Sequence, residues 1–168
     1  MINKKICGLL NSQITKELES AYLYLGFANY FTERNLNGFA HWYKVQADEE
    51  IEHAMKIVGY IHSNDCCVKL EDIHVVDDEF NEDMEVLSKG LQHEKYVTAL
   101  IENIYHEAID DKDLRTQNFL DWFIAEQAEE EENAQKLIDD YNIFVYDCDC
   151  GCSCGLYQMD KTLSERTD

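Results

Sequence analysis

The amino-acid sequence predicts an all-α protein, a four-helix bundle with a long crossover between the second and third helices. Three observations support this prediction. Proline is absent and only 7 of the 168 residues are glycine, so little in the chain interrupts a helix. Core-type residues recur every three or four positions over four long stretches. Two short links and one long link separate these stretches, as in a bundle with one crossover.

The first two helices are predicted on either side of a tight turn at Arg34–Gly38. Each carries a stripe of about 22 to 25 residues, or roughly 33–37 Å of helix. The first stripe consists of Leu10, Ile14, Glu17, Ala21, Tyr24, Ala28 and Phe31. The second consists of Leu36, Phe39, Tyr43, Gln46, Glu50, His53, Ile57 and Tyr60.

The third and fourth helices are predicted around a stop and an N-cap at Ile109–Asp113. The less periodic segment Asn64–Asp78 is predicted to be the extended crossover. The third stripe consists of Met84, Leu87, Leu91, Glu94, Thr98, Ile101, Tyr105 and Ala108. The fourth consists of Leu120, Phe123, Gln127, Glu130, Ala134, Leu137 and Tyr141. A cysteine-rich run after Tyr146 ends the predicted bundle, which covers residues 1–146 of a single domain spanning 1–168.

The charge of the chain restricts its partners. Asp and Glu number 35 against 14 Lys and Arg, which gives a formal net charge of −21. Nucleic acids and anionic membranes are therefore not expected as partners, whereas cations are. No apolar run approaches the roughly 20 residues of a membrane span, and Met1–Leu10 lacks the apolar core of a signal peptide. We therefore expect a reduced, cytoplasmic compartment.

Polar side chains interrupt all four stripes near the middle of each helix. They are Glu17, Glu50, His53, Glu94, Gln127 and Glu130. A single seam glutamate is more often a partly exposed residue, and a single seam histidine is more often a hydrogen-bonded core residue. Several buried carboxylates at one level, however, would be too costly without a partner, and a bound cation removes this cost. Carboxylates with one imidazole suit Fe(II), Mn(II) or Zn(II), and two adjacent ions could share a bridging carboxylate.

Three further glutamates lie one position before seam residues, about 100° around their helices. They are Glu49, Glu126 and Glu129. These side chains could hold another ion beside the main site. They could equally belong to a solvated face, because Glu129–Glu132 is a run of like charges. The spacing alone leaves both interpretations open.

Together these residues resemble a known family. The chain is similar to the bacterial non-haem ferritins, with an H-type ferroxidase subunit, along nearly its whole length. The motifs are Glu17 with Tyr24, Glu-Glu-Ile-Glu-His at 49–53, Glu94, Trp122, Glu-Gln-Ala-Glu-Glu at 126–130 and Gly-Leu-Tyr-Gln-Met-Asp-Lys at 155–161. Taken together they are highly specific, although no single one of them is.

The resemblance implies a ferritin-like fold and a di-iron centre that oxidises Fe(II) with O2 or peroxide. One iron would be bound by Glu17, Glu50 and His53. The second would be bound by Glu94 and Glu130, with Glu50 bridging the two ions and Gln127 close by. A third iron would use Glu49, Glu126, Glu129 and Glu130, so that each subunit holds two to three ions. Tyr24 beside the pair would donate a hydrogen bond or an electron, and 24 subunits would form a hollow cage that stores the Fe(III) mineral.

The resemblance also implies a short fifth helix, placed at Met159–Glu165, which would line the four-fold axes of the cage. Residues 156–168 would then form this helix and the tail. Haem is not expected, because haem-containing bacterioferritins have a Met and a His where this chain has Ile51 and Glu130. Rubrerythrins are disfavoured because the cysteines lack Cys-x-x-Cys spacing, and mini-ferritins because their ligands are placed differently.

The cysteine-rich loop at 147–155 departs from the family pattern. Its cysteines alternate with other residues at Cys148, Cys150, Cys152 and Cys154. Such arrays suit soft ions such as Cu(I), Zn(II) or Cd(II), or redox chemistry. The alternatives are a reduced loop and disulfides formed after purification. Cys7, Cys66 and Cys67 are expected to be ordinary thiols.

Three functions remain open at this stage. The first is an iron-storage ferroxidase. The second is a protein that sequesters soft metals through the cysteine loop. The third is a di-iron oxidase or peroxide scavenger that stores no mineral.

Overall fold

Helices account for most of the computed structural model, which describes residues 2–74, 79–146 and 154–167. The long helices are α1 Lys4–Glu33, α2 Asn37–Ser63, α3 Asp83–Asp110 and α4 Leu114–Tyr141. A π-helical segment, Asn142–Tyr146, extends α4, and a fifth helix, α5, covers Cys154–Leu163. The predicted all-α bundle is confirmed, with short links after α1 and α3 and a long crossover between α2 and α3.

Backbone conformation and caps explain where the long helices end. The second residue after each of α1, α2 and α3 adopts a left-handed conformation, with φ of 60° at Asn35, 55° at Asp65 and 57° at Lys112. Asn3 accepts a hydrogen bond from the backbone of Lys5 at 2.9 Å and so caps α1. Asp113 caps α4 as predicted, because its carboxylate accepts hydrogen bonds from two backbone N–H groups of the first turn.

The apolar core is divided into two clusters by the polar middle of the bundle. One cluster lies at the end where α1 meets α2 and includes Phe31, Phe39 and Leu87. The other lies at the opposite end and includes Ile14, Ile57 and further residues of α3 and α4. The polar seam residues therefore lie between two apolar clusters, which separate them from the solvent at either end of the bundle.

On α3 the buried face differs from the predicted one. Four predicted positions are buried: Leu87, Glu94, Ile101 and Ala108. The other four are only half-buried: Met84, Leu91, Thr98 and Tyr105. Their places in the core are taken by Val86, Gly90, Val97 and Ile104. The helix packs against both α4 and α1, so its buried face is centred between two neighbours rather than on one seam.

The fifth helix starts earlier than the predicted Met159–Glu165. It begins at Cys154, which therefore lies on a helix and not in the cysteine loop, and it buries Met159 and Leu163 against the bundle. Asp160 accepts hydrogen bonds from the backbone N–H groups of Gly38 at 2.7 Å and Phe39 at 3.1 Å. Since Leu36 provides no side-chain cap for α2, α5 supplies that cap from the far end of the chain.

A disulfide fastens the crossover to α1. It joins Cys7 to Cys66, whose Cα atoms are 6.6 Å apart. The prediction of ordinary thiols is therefore wrong for these two residues, whereas Cys67 is a free, exposed thiol. The sequence does not indicate this pairing, because the two cysteines are 59 residues apart and meet only when α2 packs back along α1. Asn11 adds a donor to the carbonyl of Cys67 at 3.1 Å and accepts from the backbone of Lys69.

Candidate metal centre

The middle of every long helix contributes at least one buried polar side chain to a single layer. The layer contains each of the seam residues proposed for it: Glu17, Glu50, His53, Glu94, Gln127 and Glu130. None of these side chains belongs to a residue more than 6% exposed. Because the four helices lie side by side, residues far apart in sequence meet at the same level of the bundle. This level is distant from the ends of the long helices.

Glu17, Glu50 and His53 form one compact group, since one ligand atom from each lies within 4.8 Å of the other two. Gln13, one turn earlier on α1, donates to Glu17 Oε1 at 3.1 Å. Glu17 Oε2 and Glu50 Oε2 are buried and have no hydrogen-bond partner among the described residues. His53 Nδ1 lies 3.5 Å from Glu50 Oε2, so the imidazole and the carboxylate face one another as their spacing on α2 predicts.

Glu94 belongs to neither compact group of ligand atoms, although it lines a small pocket together with Glu130. The hydroxyl of Tyr24 donates a hydrogen bond to its Oε1 atom. The amide of Gln127 is 3.3 Å from its Oε2 atom and also 3.3 Å from the hydroxyl of Thr98. Tyr24 and Gln127 therefore fix the orientation of this carboxylate from α1 and α4.

The buried carboxyls hold their protons more tightly than ordinary glutamates. Burial raises the pKa of Glu17, Glu50 and Glu94 well above the usual range. The neighbouring carboxylates add to this, Glu50 acting on Glu17 and Glu130 acting on Glu50 and Glu94. Burial and then Glu49 raise the pKa of Glu130 to about 7. A divalent cation would replace these protons and cancel the repulsion.

A second compact group joins His53 to Glu126 and Glu130. His53 Nε2 lies 3.7 Å from Glu126, so the ring stands between the two groups. A cavity of about 230 Å³ opens here and is lined by Trp42, Glu49, Glu126, Glu129, Glu130, Asn133 and Arg166. All four glutamates of the expected third site thus line one cavity, although Glu49 and Glu129 fall outside the compact group.

Two glutamines and an arginine of this region were missed as contributors to the site. Gln13 lies four residues before Glu17, to which it donates, and that spacing could have identified it. Gln46 lies on the predicted stripe of α2 but acts on a residue of α4. Gln46 donates to Glu130 Oε2 at 2.5 Å. Arg166 lies beyond α5, and no pattern in the sequence indicates that it reaches the bundle.

Of the four cysteines of the loop, three fall outside the described residues: Cys148, Cys150 and Cys152. Cys154 is a free, exposed thiol at the start of α5. Within the described ranges, no helix is long and apolar enough to cross a membrane.

Known proteins with similar sequences and structures point to one family. The chain matches the family model of the ferritin-like domain over residues 7–144. A bacterial non-heme ferritin of Bacteroides fragilis is 36% identical over 157 residues, which are 90% of this chain and 99% of that protein. One from Campylobacter jejuni is 33% identical over 139 residues, 83% of each chain.

Solved structures agree with this relationship. The open pore ferritin from the hyperthermophilic archaeon Archaeoglobus fulgidus superposes with a TM-score of 0.93 at 35% identity, over 99% of this chain and 100% of that one. An engineered closed form of the Archaeoglobus fulgidus ferritin gives the same TM-score and covers 99% of both chains. The resemblance drawn from the motifs is confirmed, and the chain belongs to the ferritin-like family, with bacterial non-haem ferritins among its relatives.

Proposed function

We propose that this protein is an iron-storage ferritin that oxidises Fe(II) at a centre within each subunit and retains the Fe(III) as mineral. Two Fe(II) ions each lose one electron, and one O2 takes up both electrons with two protons to give H2O2. Peroxide can serve as the oxidant in the same way. Iron is thus the substrate and the cargo, and the side chains bind it, order it and exchange protons with it.

One observation carries this proposal: two buried carboxylate oxygens, on Glu17 and Glu50, lack a hydrogen-bond partner in the described part of the chain and lie beside a histidine. Such atoms are costly in a folded protein unless a cation neutralises them. Hard carboxylate ligands favour Fe(III) over Fe(II), so they promote oxidation. The formal charge of −21 attracts Fe(II) to the protein from solution.

Each residue of the layer has a role in the proposal. Glu17, Glu50 and His53 would bind the first ion. Glu94 and Glu130 would bind the second, with Glu50 shared between the two ions. In this arrangement the amide of Gln127 would orient Glu94, which it already contacts.

Tyr24 and the neighbouring cavity complete the proposed centre. The Tyr24 hydroxyl, which donates to Glu94, is placed to supply a hydrogen bond or an electron during oxidation. A third ion would bind in the cavity beside His53, with ligands from Glu49, Glu126, Glu129 and Glu130. We infer a weaker affinity there, because Glu49 and Glu126 are about a third exposed and are more strongly solvated.

Storage requires an enclosed volume, so the proposal includes assembly of 24 copies into a hollow cage. The similarity to ferritins over nearly the whole chain supports this assembly. A cytoplasmic location is also part of the proposal. Isolation of the protein from cells under acid quench, followed by mass spectrometry, would give the native redox state of the Cys7–Cys66 pair. Two thiols would agree with a reducing, cytoplasmic compartment, and a disulfide would count against it.

The test is a titration of the metal-free protein with Fe(II) in air, following O2 uptake and the iron retained at the elution volume of the assembly. Glu94→Gln removes a proposed ligand, and Glu102→Gln, at an exposed position of the same helix, is the matched control. We expect fast oxidation of two to three ions per chain and then continued loading in the wild type and the control. Oxidation should slow by about 10- to 100-fold or more in Glu94→Gln, since even the loss of an outer-shell partner of a metal ligand has an effect of that size.

The outcomes separate the candidate functions. Equal initial rates in Glu94→Gln and the wild type would overturn the proposed centre. Fast oxidation without retained iron would indicate a di-iron oxidase without a storage role.

A further inference from the structure

The cavity beside His53 already contains a cation from the chain itself. The guanidinium of Arg166 donates to Glu49 Oε2 through Nη2 at 2.6 Å. The side chain of Arg166 is only 10% exposed, although the residue lies in the last few positions of the chain. It therefore occupies a defined place among the carboxylates and does not extend into solvent.

Three further contacts fix this placement. Nη1 of Arg166 donates to Gln46 Oε1 at 2.8 Å. The guanidinium lies 4.1 Å from the centre of the Trp42 ring, a cation–π contact. His41 Nε2 lies 2.8 Å from the Arg166 carbonyl oxygen and holds the tail backbone against α2.

Arg166 engages a second glutamate through Gln46. The amide oxygen of Gln46 faces the guanidinium, so its NH2 group is directed to Glu130 Oε2, to which it donates at 2.5 Å. The Arg166 guanidinium thus hydrogen-bonds Glu49 directly, and through Gln46 it orients an N–H donor toward Glu130. Both glutamates line the cavity that the proposed third ion would use. Glu49 Oε2 and Glu130 Oε2 therefore already accept hydrogen bonds from Arg166 and from the amide that it orients, so a cation approaching these oxygens meets a positive charge and occupied lone pairs.

We propose that Arg166 is a competitor for the third cation site, so that a third metal ion binds only as the guanidinium leaves. The inference rests on the proposed function, because it concerns the same set of glutamates. The guanidinium offsets part of the negative charge of the four glutamates that line the cavity before iron arrives. It also makes the third site weaker than the two beside it, so an ion bound there leaves readily once the guanidinium returns.

The test compares Arg166→Gln with Lys161→Gln by calorimetric titration of the assembled, metal-free protein with Zn(II), which does not change oxidation state. Both variants remove one positive charge from the C-terminal segment, and Lys161 is exposed on α5. We expect the third Zn(II) to bind at least about tenfold tighter in Arg166→Gln, because a charged hydrogen-bonded competitor is lost. Lys161→Gln should match the wild type, and the first ion, whose proposed ligands do not contact Arg166, should bind equally in all three proteins.

Two results would contradict the proposal. One is a third ion that binds no more tightly in Arg166→Gln than in the wild type. The other is the absence of a third ion from both proteins. Failure of the first two ions to bind in the wild type would instead count against the proposed function itself.

Displacement of the guanidinium also has a spectroscopic readout. Trp42 and Trp122 are the two tryptophans of the chain, so Trp122→Phe leaves Trp42 as the sole indole fluorophore. In that background the third Zn(II) should change the Trp42 emission when Arg166 is present, because the stacked cation leaves the ring. The change should be clearly smaller in Arg166→Gln. An unchanged emission during binding of the third ion to the Arg166 protein would mean that the guanidinium stays, which would overturn the competition.

Discussion

At the scale of single residues, the clearest features are two carboxylate oxygens, on Glu17 and Glu50, that receive no hydrogen bond from any residue the structure describes. An unsatisfied buried acceptor costs about 1–3 kcal/mol, and more when it is charged. The metal-free protein meets this cost partly by keeping protons, since burial raises the pKa of both side chains. These residues thus lower the stability of the empty protein, a cost that the proposed cation would remove.

Glu50→Gln should separate these two effects. The amide keeps the shape of the side chain and offers an N–H donor to Glu17. It replaces a carboxyl that must either hold its proton well above the ordinary pKa or carry a buried charge. We expect metal-free Glu50→Gln to be more stable than the wild type at neutral pH by about 1–3 kcal/mol in urea unfolding. It should also lose the stabilisation that Zn(II) gives the wild type. Glu52→Gln, exposed on the same helix, should change neither quantity. A less stable metal-free Glu50→Gln would show that the carboxylate is not a cost to the fold.

At the scale of the elements, α2 depends on α5 for its first turn. Asp160 reaches the backbone N–H groups of Gly38 and Phe39, and a Cβ atom at Gly38 would overlap the carbonyl group of Asp160. Gly38 is therefore required by the close approach of α5 and not by its own backbone conformation. The same contact holds the tail that carries Arg166 in place.

Two glycines of α2 provide a matched pair for testing this contact. Gly38→Ala should force α5 away and cost about 1–3 kcal/mol, as overpacking does. Gly59→Ala should instead stabilise the protein by about 0.5–1 kcal/mol, because nothing lies near its Cβ position and alanine favours a helix. Denaturant unfolding measures both values. If both variants were stabilised equally, the docking of α5 on α2 would be wrong.

The disulfide Cys7–Cys66 connects the crossover to α1 and closes a loop of 59 residues. In the chain-entropy model, closure of a loop of this length is worth about 4 kcal/mol. Cys66→Ser should therefore lower the free energy of unfolding by about 2–4 kcal/mol. Cys67→Ser, which removes the neighbouring free thiol, should leave it unchanged. Equal effects of the two substitutions, or no difference between reduced and oxidised wild type, would contradict the stabilising role of this bond.

At the scale of the whole molecule, two apolar clusters enclose a charged layer, and this arrangement makes stability depend on pH. The layer carboxyls have a raised pKa in the folded state, including about 7 for Glu130. The stability that these protonated carboxyls contribute is fully present below the unfolded-state pKa of about 4.3. It is lost as the pH rises through their folded-state pKa values. We expect the Tm of the metal-free protein to fall between about pH 5 and about pH 8. Saturating Zn(II) should reduce or reverse this slope, because the ions bind ionised carboxylates.

Thermal unfolding with and without Zn(II) measures both slopes. Glu130→Gln should flatten the slope of the metal-free protein near pH 7, whereas Glu132→Gln, exposed on the same helix, should not. A metal-free Tm that rises steadily with pH over this range would contradict the raised pKa values.

Much of the fold and the site could be predicted from local patterns. Helical periodicity placed Glu17, Glu50 and Glu94 on buried faces, because the spacing of core residues reports which side of a helix is covered. The same reasoning failed for half of the stripe on α3, because this helix packs against both α4 and α1 and so buries a different set of side chains. Cys7–Cys66, the Asp160 cap and Arg166 could not be predicted, because each contact joins residues from distant parts of the chain. Such contacts depend on how the elements are placed and leave no periodic signal.

The Cys7–Cys66 bond also has a mechanical consequence. It makes α1, the turn after it and α2 into a covalent ring that a force applied at the chain ends cannot open. A fully stretched chain spans about 3.3–3.6 Å per residue. The 59 residues that separate the two cysteines would add about 200 Å to the stretched chain, and the disulfide prevents this extension. Pulled by its ends, the oxidised subunit would stop short of the reduced one by that length, and the proposed ligands Glu17, Glu50 and His53 would all remain within the ring.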